Sequence, residues 1–330
     1  MSNQQDLSPD AMPRSSESSQ DTQQITGFGE ALIDVLPSGE VIGGAPLNFS
    51  IRCAELAGPV GWRAALISRV GQDARGMRIL ELLRRRNVAT DAVQIDPDHP
   101  TGWVDIELHD GHADYTFAAD VAWDHIAVDP AAEACAMHSA VFCFGTLAQR
   151  SPTTAGTLRV LLEKATHAMR VLDLNLRRPY PNLSTVRTSL ELCHILKCNA
   201  EELDWLKDQL SIDAPATDRR AIAASLQTEF GLQCVFWTRG SEGCVWQDGD
   251  MVLTASVPTF EPVPDADSVG AGDAATAALA IGLAAGWPPQ RIVRAANWCG
   301  AFAASQRGAT APLPPHLIDR LWSGSLDGSG

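Results

Sequence analysis

Apolar and polar positions follow two rhythms along this chain. In the first third, residues 25–36 form a nearly continuous apolar run that reads as one strand, and 64–70 reads as another. Residues 46–57 have the spacing of a helix, with Pro46 in the first turn, where a missing N–H is tolerated. Residues 74–86 predict an amphipathic helix. It places Met77, Leu80 and Leu83 on one side and ends on Arg84, Arg85 and Arg86, where cations suit the helix dipole. Residues 102–108 and 113–119 alternate with period two around Asp110-Gly111, which predicts a hairpin.

After this the rhythm changes. Short apolar runs at 140–144, 170–174, 195–198 and 234–238 predict strands. Between them lie helical stretches at 152–168 and 182–192, and two more between 201 and 230. Strand alternating with helix implies a parallel sheet covered on both faces. The last part reads as mostly helical, and 274–286 is rich in alanine and buried in character. The expected architecture is α/β: a central, mostly parallel sheet with helices on both faces, plus a small β-sheet lid from insertions near 35–43 and 101–119. Residues 25–322 form the domain, between a disordered tail at 1–24, rich in Ser, Gln and Asp, and a flexible Gly/Ser tail at 323–330.

Composition narrows the function. The 330 residues carry a formal net charge of -15, so the chain lacks the positive field of a general nucleic-acid or anionic-membrane binder. No apolar run is long enough to span a bilayer, and the N-terminus has no signal-peptide core. The eight cysteines include no Cys-x-x-Cys pair and mostly sit in apolar runs, as expected of reduced core thiols in a cytoplasmic protein. His109 and His112 flank a polar turn without a third ligand nearby in sequence and read as a solvated hairpin.

The segment Asp267-Ser268-Val269-Gly270-Ala271-Gly272-Asp273 carries the chemistry. Glycines ahead of a helix leave backbone N–H groups free, and with the helix dipole these make an anion site. Asp273 at the same place would repel a resident anion. It fits a reaction in which charge develops there while the carboxylate takes a proton from a hydroxyl, as in phosphoryl transfer to an alcohol. A tight turn with Asp273 as N-cap is the alternative. No Walker loop or His-Arg-Asp loop occurs, and Gly27-Phe28-Gly29 lacks the third glycine of a dinucleotide fold.

Elsewhere, Asp34 sits toward the end of the first predicted strand, where open α/β sheets bind ligands, or is an exposed strand-end charge. Gly43 and Gly44 permit close backbone approach, and Asn48 can donate to and accept from hydroxyls, or these are a turn and a helix-surface amide. Strand alternation would put Asp173, Asn175 and Arg177 on one face, with Arg177 reaching substrate or phosphate, or pairing with a surface carboxylate. Asn199 and Glu202 lie at a strand-to-helix junction, where Asn199 is also a plausible N-cap. Thr238, Gly240 and Gly243 form a turn after a strand.

Taken together these segments resemble the PfkB/ribokinase family of sugar kinases. Its Asp-Thr-x-Gly-Ala-Gly-Asp signature is matched except at Ser268. Gly43-Gly44-Ala45-Pro46-Leu47-Asn48, Asn199-Ala200-Glu201-Glu202, Thr238-Arg239-Gly240-Ser241-Glu242-Gly243 and Arg307-Gly308-Ala309 follow the family's order. The resemblance implies a ribokinase-like fold and ATP-dependent phosphorylation of a sugar hydroxyl. Asp273 would be the base, with Gly270, Ala271 and Gly272 around the transferring phosphate. It implies sugar contacts from Asp34, Gly43, Gly44, Asn48 and Arg177, and nucleotide contacts from Asn199, Thr238, Gly240, Gly243, Asn297 and Gly308. Mg²⁺ would be held through water by Glu202, and Asp267 would lie at a monovalent cation, K⁺. The lid would close over the sugar and in many relatives pairs two subunits. Ala122-Trp123-Asp124, Leu147-Ala148-Gln149-Arg150 and Asn175-Leu176-Arg177 look like bacterial fructokinases. Other readings are a 2-keto-3-deoxygluconate kinase, another sugar or nucleoside kinase, or a catalytically silent binding homologue.

Overall fold

The computed structural model describes residues 23–326 apart from 110, 111 and 181, and only the backbone of 107–109 and 112–114. The expected N-terminal tail and the His109/His112 turn therefore lie largely outside the described residues.

The strands are β1 (Gln24–Phe28), β2 (Leu32–Leu36), β3 (Gly39–Gly43), β4 (Arg63–Gly71), β5 (Val88–Ala89), β6 (Val93–Asp96), β7 (Gly102–His109), β8 (His112–Phe117), β9 (Ser139–Phe144), β10 (Met169–Asp173), β11 (Ile195–Asn199), β12 (Cys234–Thr238), β13 (Cys244–Asp248) and β14 (Met251–Thr254). The large sheet runs β14-β13-β12-β11-β10-β9-β1-β4-β5, with β6 also on β4. From β12 through β4 the pairings are parallel; β13 and β14 add an antiparallel edge absent from the sequence reading. The small sheet runs β3-β2-β7-β8.

Alternation along the central strands feeds two cores. Val141 and Cys143 of β9 enter one with the helices Ala45–Ala57, Ala271–Ala284 and Pro289–Ala304; Phe142 and Phe144 enter the other with Pro152–Lys164, Leu183–Leu192 and Ala200–Leu210. The run Ala274–Gly282 is buried throughout, and its small side chains let Ala45–Ala57 and Pro289–Ala304 pack closely on it. No helix among the described residues is long and apolar enough to cross a membrane.

The structure corrects several local expectations. Residues 25–36 are two strands in two sheets. At Gly29, with φ +141°, the chain leaves the large sheet and β2 begins the small one, so Asp34 lies within β2 and not at the end of β1. The first strand starts at Gln24, whose buried amide bonds Thr26 and the Cys135 carbonyl. Met77 is exposed; Ile79, Leu80 and Leu83 form the buried stripe of their helix. At the other end, Ser323 closes the helix Pro315–Ser323 and Leu326 is buried, so the ordered chain passes 322.

Candidate active site

The parallel strands end along one edge of the large sheet, and the chemistry-bearing side chains converge there. The helix Ala271–Ala284 begins at this edge. Gly270 is its N-cap at φ +78° and makes no side-chain cap bond. Any Cβ on Gly270 would lie 2.6 Å from the Ala309 backbone, so the motif and the Gly308 loop can approach only through glycine. Gly272 and Asp273 are the second and third residues of the helix, not the turn before it as the sequence predicted. Their amides have no partner a turn earlier within the helix. The N-terminal end of the helix is thus open, with a carboxylate beside it.

That carboxylate does not cap its own helix. Asp273 Oδ2 accepts from Asn48 Nδ2 at 2.9 Å, joining positions 225 residues apart. Asn48 is itself buried, and its Oδ1 has no partner. An unpaired buried acceptor costs about 1–3 kcal/mol, a debt a ligand hydroxyl would cancel. Burial raises the pKa of Asp273, nearby Asp173 raises it further, and Asn48, Lys197 and Arg177 pull it back.

Beneath the helix start lies a buried ion pair. Lys197 Nζ donates to both oxygens of Asp173 at 2.9 and 3.2 Å, and Thr276 Oγ1 donates to Asp173 Oδ2 at 2.8 Å. Lys197 Nζ is 3.2 Å from where a Gly272 Cβ would be, which puts a fixed positive charge against the open helix end. Burial opposes that charge, but Asp173 and Glu202 more than offset it and raise the lysine's pKa. Removing either partner would strand a buried charge, at a cost of about 3–5 kcal/mol. Here the sequence reading fails: β10 ends at Asp173 and Asn175 turns the backbone at φ +41°, so Asp173, Asn175 and Arg177 do not share a strand face. Asp173 is a strut for Lys197.

On the sugar-facing side implied by the sequence, the small sheet presents Asp34. A Cβ on Gly43 would come within 2.3 Å of Asp34 Oδ2, so the glycine makes room for this carboxylate. Burial lifts the Asp34 pKa to about 6 against the pull of Arg177. The pairing Asp34↔Val41, Asp34↔Val104 and Val104↔Phe117 sets Val41, Val104 and Phe117 on the same face as Asp34. Tyr115, two residues before Phe117, shares that face, and the Arg177 guanidinium lies over its ring at 5.9 Å.

Two groups were missed by the sequence reading as site residues. Glu30, in the turn between the sheets, is buried, and burial pushes its pKa to about 7; Arg177 and Arg150 oppose the shift and Asp273 adds to it. It lines a small cavity with Pro46, Gly145, Thr146, Asp173 and Asn175. Its one sequence signal was a charge inside an apolar run. Arg150 forms a two-pronged pair with Asp124 and donates to the Ala118 carbonyl, with its guanidinium over Trp123 at 3.8 Å. The segments 122–124 and 147–150, noted separately in the sequence, thereby meet where the small sheet returns to the body.

On the remaining side, Glu202 and Asn199 form a reciprocal cap, and Glu202 Oε1 also accepts from Leu176 N at 2.7 Å. Both Glu202 oxygens are therefore already engaged by backbone. Asn297 is buried and bonds the backbone of Cys244, Ala255 and Ser256, so it shapes the wall beside Gly243 and offers no free polar group for a base. Thr238 and Gly240 stand at the end of β12 as expected. Asp267 accepts from Val269 N and Gly308 N, tying the two glycine loops together.

Residues 24–316 match the family described as pfkB family carbohydrate kinase. The chain belongs to this family. As a pfkB carbohydrate kinase it is a phosphotransferase with an alcohol acceptor. It is similar to a fructokinase of Vibrio alginolyticus, 28% identical over an alignment of 310 residues that covers 88% of this chain and 96% of that one. Among solved structures, an uncharacterized sugar kinase from Pyrococcus horikoshii superposes with a TM-score of 0.78 at 24% identity, covering 92% of this chain and all (100%) of the other. A fructokinase with bound ATP from Xylella fastidiosa gives 0.75 at 24% identity, covering 92% and 98%. The pfkB kinase fold here is ribokinase-like, with its small sheet distinct from the central one.

Proposed function

We propose that this carbohydrate kinase transfers the γ-phosphoryl group of ATP to D-fructose, giving fructose 6-phosphate, in the cytoplasm. The observation that carries the reading is the Asn48–Asp273 bond in front of an uncapped helix N-terminus. It supports a reading in which a proton acceptor, a free amide oxygen and an anion site share one place. Asp273 takes the proton of the attacking hydroxyl, while the amides of Gly272 and Asp273, backed by Lys197, stabilise charge on the phosphoryl group. In a loose transition state this positioning and electrostatic work outweighs the base.

Asp34, Gly43, Gly44, Asn48 and Arg177 hold the sugar. A neutral hexose is served by paired donors and acceptors of this kind, and Ala122-Trp123-Asp124 with Arg150 matches the fructokinase pattern. Thr238, Gly240, Gly243 and the Gly308 loop receive the nucleotide, with Asn297 acting through the wall it fixes. Mg²⁺ would be held near Asn199 and Glu202, where it would neutralise charge on the ATP phosphates. Because Glu202 spends both oxygens on backbone N–H groups, it would act on the ion's waters. Asp267, between the two glycine loops, is the candidate for K⁺. The small sheet closes over the sugar to exclude water, and its exposed Val41 and Tyr115 are covered when it closes.

The test is a substrate panel with coupled ADP detection. Fructose should show a higher kcat/KM than ribose, 2-keto-3-deoxygluconate or a nucleoside. A rival that exceeds fructose by about tenfold, the scale of a single lost or gained contact, overturns the fructose assignment.

A further inference from the structure

A second cluster of chemistry-bearing side chains lies away from the phosphoryl-transfer site, at the foot of the small sheet. His99 lies where the chain leaves the body to enter β7. Asp120 lies where it returns from β8, and His125 ends the short 3-10 helix Ala122–His125 that follows. One ligand atom from each lies within 4.8 Å of the others. His125 Nε2 is 2.8 Å from Asp120 Oδ1, and His99 Nε2 is 3.8 Å from the same oxygen. The two imidazole rings lie face to face, 3.6 Å apart.

A buried carboxylate orients the cluster from behind. Asp96 is fully enclosed, accepts from the backbone of Asp98 and His99, and pairs with Arg69 at 2.7 Å. The same carboxylate lies 3.0 Å from His99 Nδ1. With its lone pairs committed as acceptors, Asp96 fixes the His99 tautomer that carries a proton on Nδ1. In the neutral ring, Nε2 then offers its lone pair on the side of the Asp120 oxygen, 3.8 Å away. Two acceptors facing each other are unfavourable, and a cation between them removes the conflict. A carboxylate holding the far nitrogen of a ligating histidine is also the arrangement that raises ligand basicity and fixes ring orientation.

We propose that His99, His125 and Asp120 bind one Zn²⁺, stapling the two feet of the β7–β8 hairpin to the body. Two imidazole nitrogens and one carboxylate oxygen suit Zn²⁺ and its neighbours in the transition series and not Mg²⁺ or Ca²⁺, which favour all-oxygen sites. Tetrahedral Zn²⁺ with bonds of about 2.0–2.1 Å spaces its ligand atoms about 3.3 Å apart. The two rings, stacked at 3.6 Å, must swing apart so that both Nε2 lone pairs face the ion, while the observed 2.8 and 3.8 Å separations bracket that value, so the carboxylate needs only small shifts. Asp120, exposed at the surface, can make them, and water completes the coordination. Arg69 neutralises Asp96, which leaves the charge of Asp120 for the ion.

The experiment uses the full chain, tag-free and stripped with chelator, titrated with Co²⁺ and followed by visible ligand-field absorption. A saturable band at one Co²⁺ per chain, displaced by Zn²⁺, is expected. Asp120→Asn, at an exposed position, and His99→Ala should each weaken binding by at least about tenfold, with the fold checked by circular dichroism. A double variant, His109→Ala with His112→Ala, should bind as the wild type does. Zn²⁺ should raise the melting temperature of the wild type and not of Asp120→Asn. Absence of the band overturns the proposal. So does a band that survives both Asp120→Asn and His99→Ala, or one lost in the His109/His112 variant alone.

Discussion

Glu30→Gln isolates the cost of burying an ionisable group near Asp273. The substitution keeps shape and hydrogen-bonding length but cannot ionise. In the folded protein burial raises the Glu30 pKa from 4.5 to about 7, despite the opposing pull of Arg177 and Arg150. The folded state therefore holds this proton more tightly than the unfolded state. The resulting stability is complete below 4.5 and lost as pH rises through about 7. At 1.36 kcal/mol per pH unit, the loss reaches about 3 kcal/mol once Glu30 is ionised in both states. Most of it falls in an accessible window: between about pH 5.5 and about pH 8 the glutamine variant should gain about 2 kcal/mol on the wild type. Urea unfolding followed by tryptophan fluorescence measures this, since Trp123 is fully buried under Arg150 and reports the same region. A stability difference that does not change with pH would refute the reasoning. A variant that becomes relatively weaker at high pH would show that the pairing of Glu30 with Arg177 and Arg150 outweighs its burial.

Asp273→Asn should lower kcat by about 10²–10⁴-fold with little change in ATP affinity, because it removes the proton acceptor and keeps the size. In the wild type, the raised pKa of Asp273 should place the acid limb of the kcat profile above the ordinary 3.8, with activity lost as pH falls through it; a profile flat to pH 4 removes Asp273 from the role of base. Asp34→Ala should raise KM for the sugar far more than for ATP, and equal effects on both would misplace the sugar. Removing residues 2–22 should leave the melting temperature unchanged, whereas removal through Gln24 should lower it, because Gln24 begins β1 and its amide bonds Cys135 and Thr26. Equal melting temperatures for the two truncations would count against that strand edge.

Much of the architecture is local, and the sequence by itself determined it. The short apolar runs of β9 to β12, the helical spacing between them and the proline at the start of Ala45–Ala57 act within a few residues of one another. The open helix N-terminus was legible for the same reason, from glycines followed by an alanine-rich run, although the helix begins at Ala271 and takes in Gly272 and Asp273, which the sequence put before it. What the tertiary structure alone decided are meetings between distant segments. The break at Gly29 sends β2 into a second sheet, which a continuous apolar run conceals because β1 and the start of β2 are both buried. Asn48 reaches Asp273 across 225 residues, and Lys197 with Asp173 slides under Gly272. Arg150 closes on Asp124 beneath the returning hairpin. Asn297, which looked free to meet a nucleotide, is spent on backbone carbonyls and an amide. Sequence spacing predicts which face of an element a side chain occupies. Whether a charge there is solvated, paired or stripped of water depends on what packs against it, and that decided the roles of Glu30, Asp173 and Glu202.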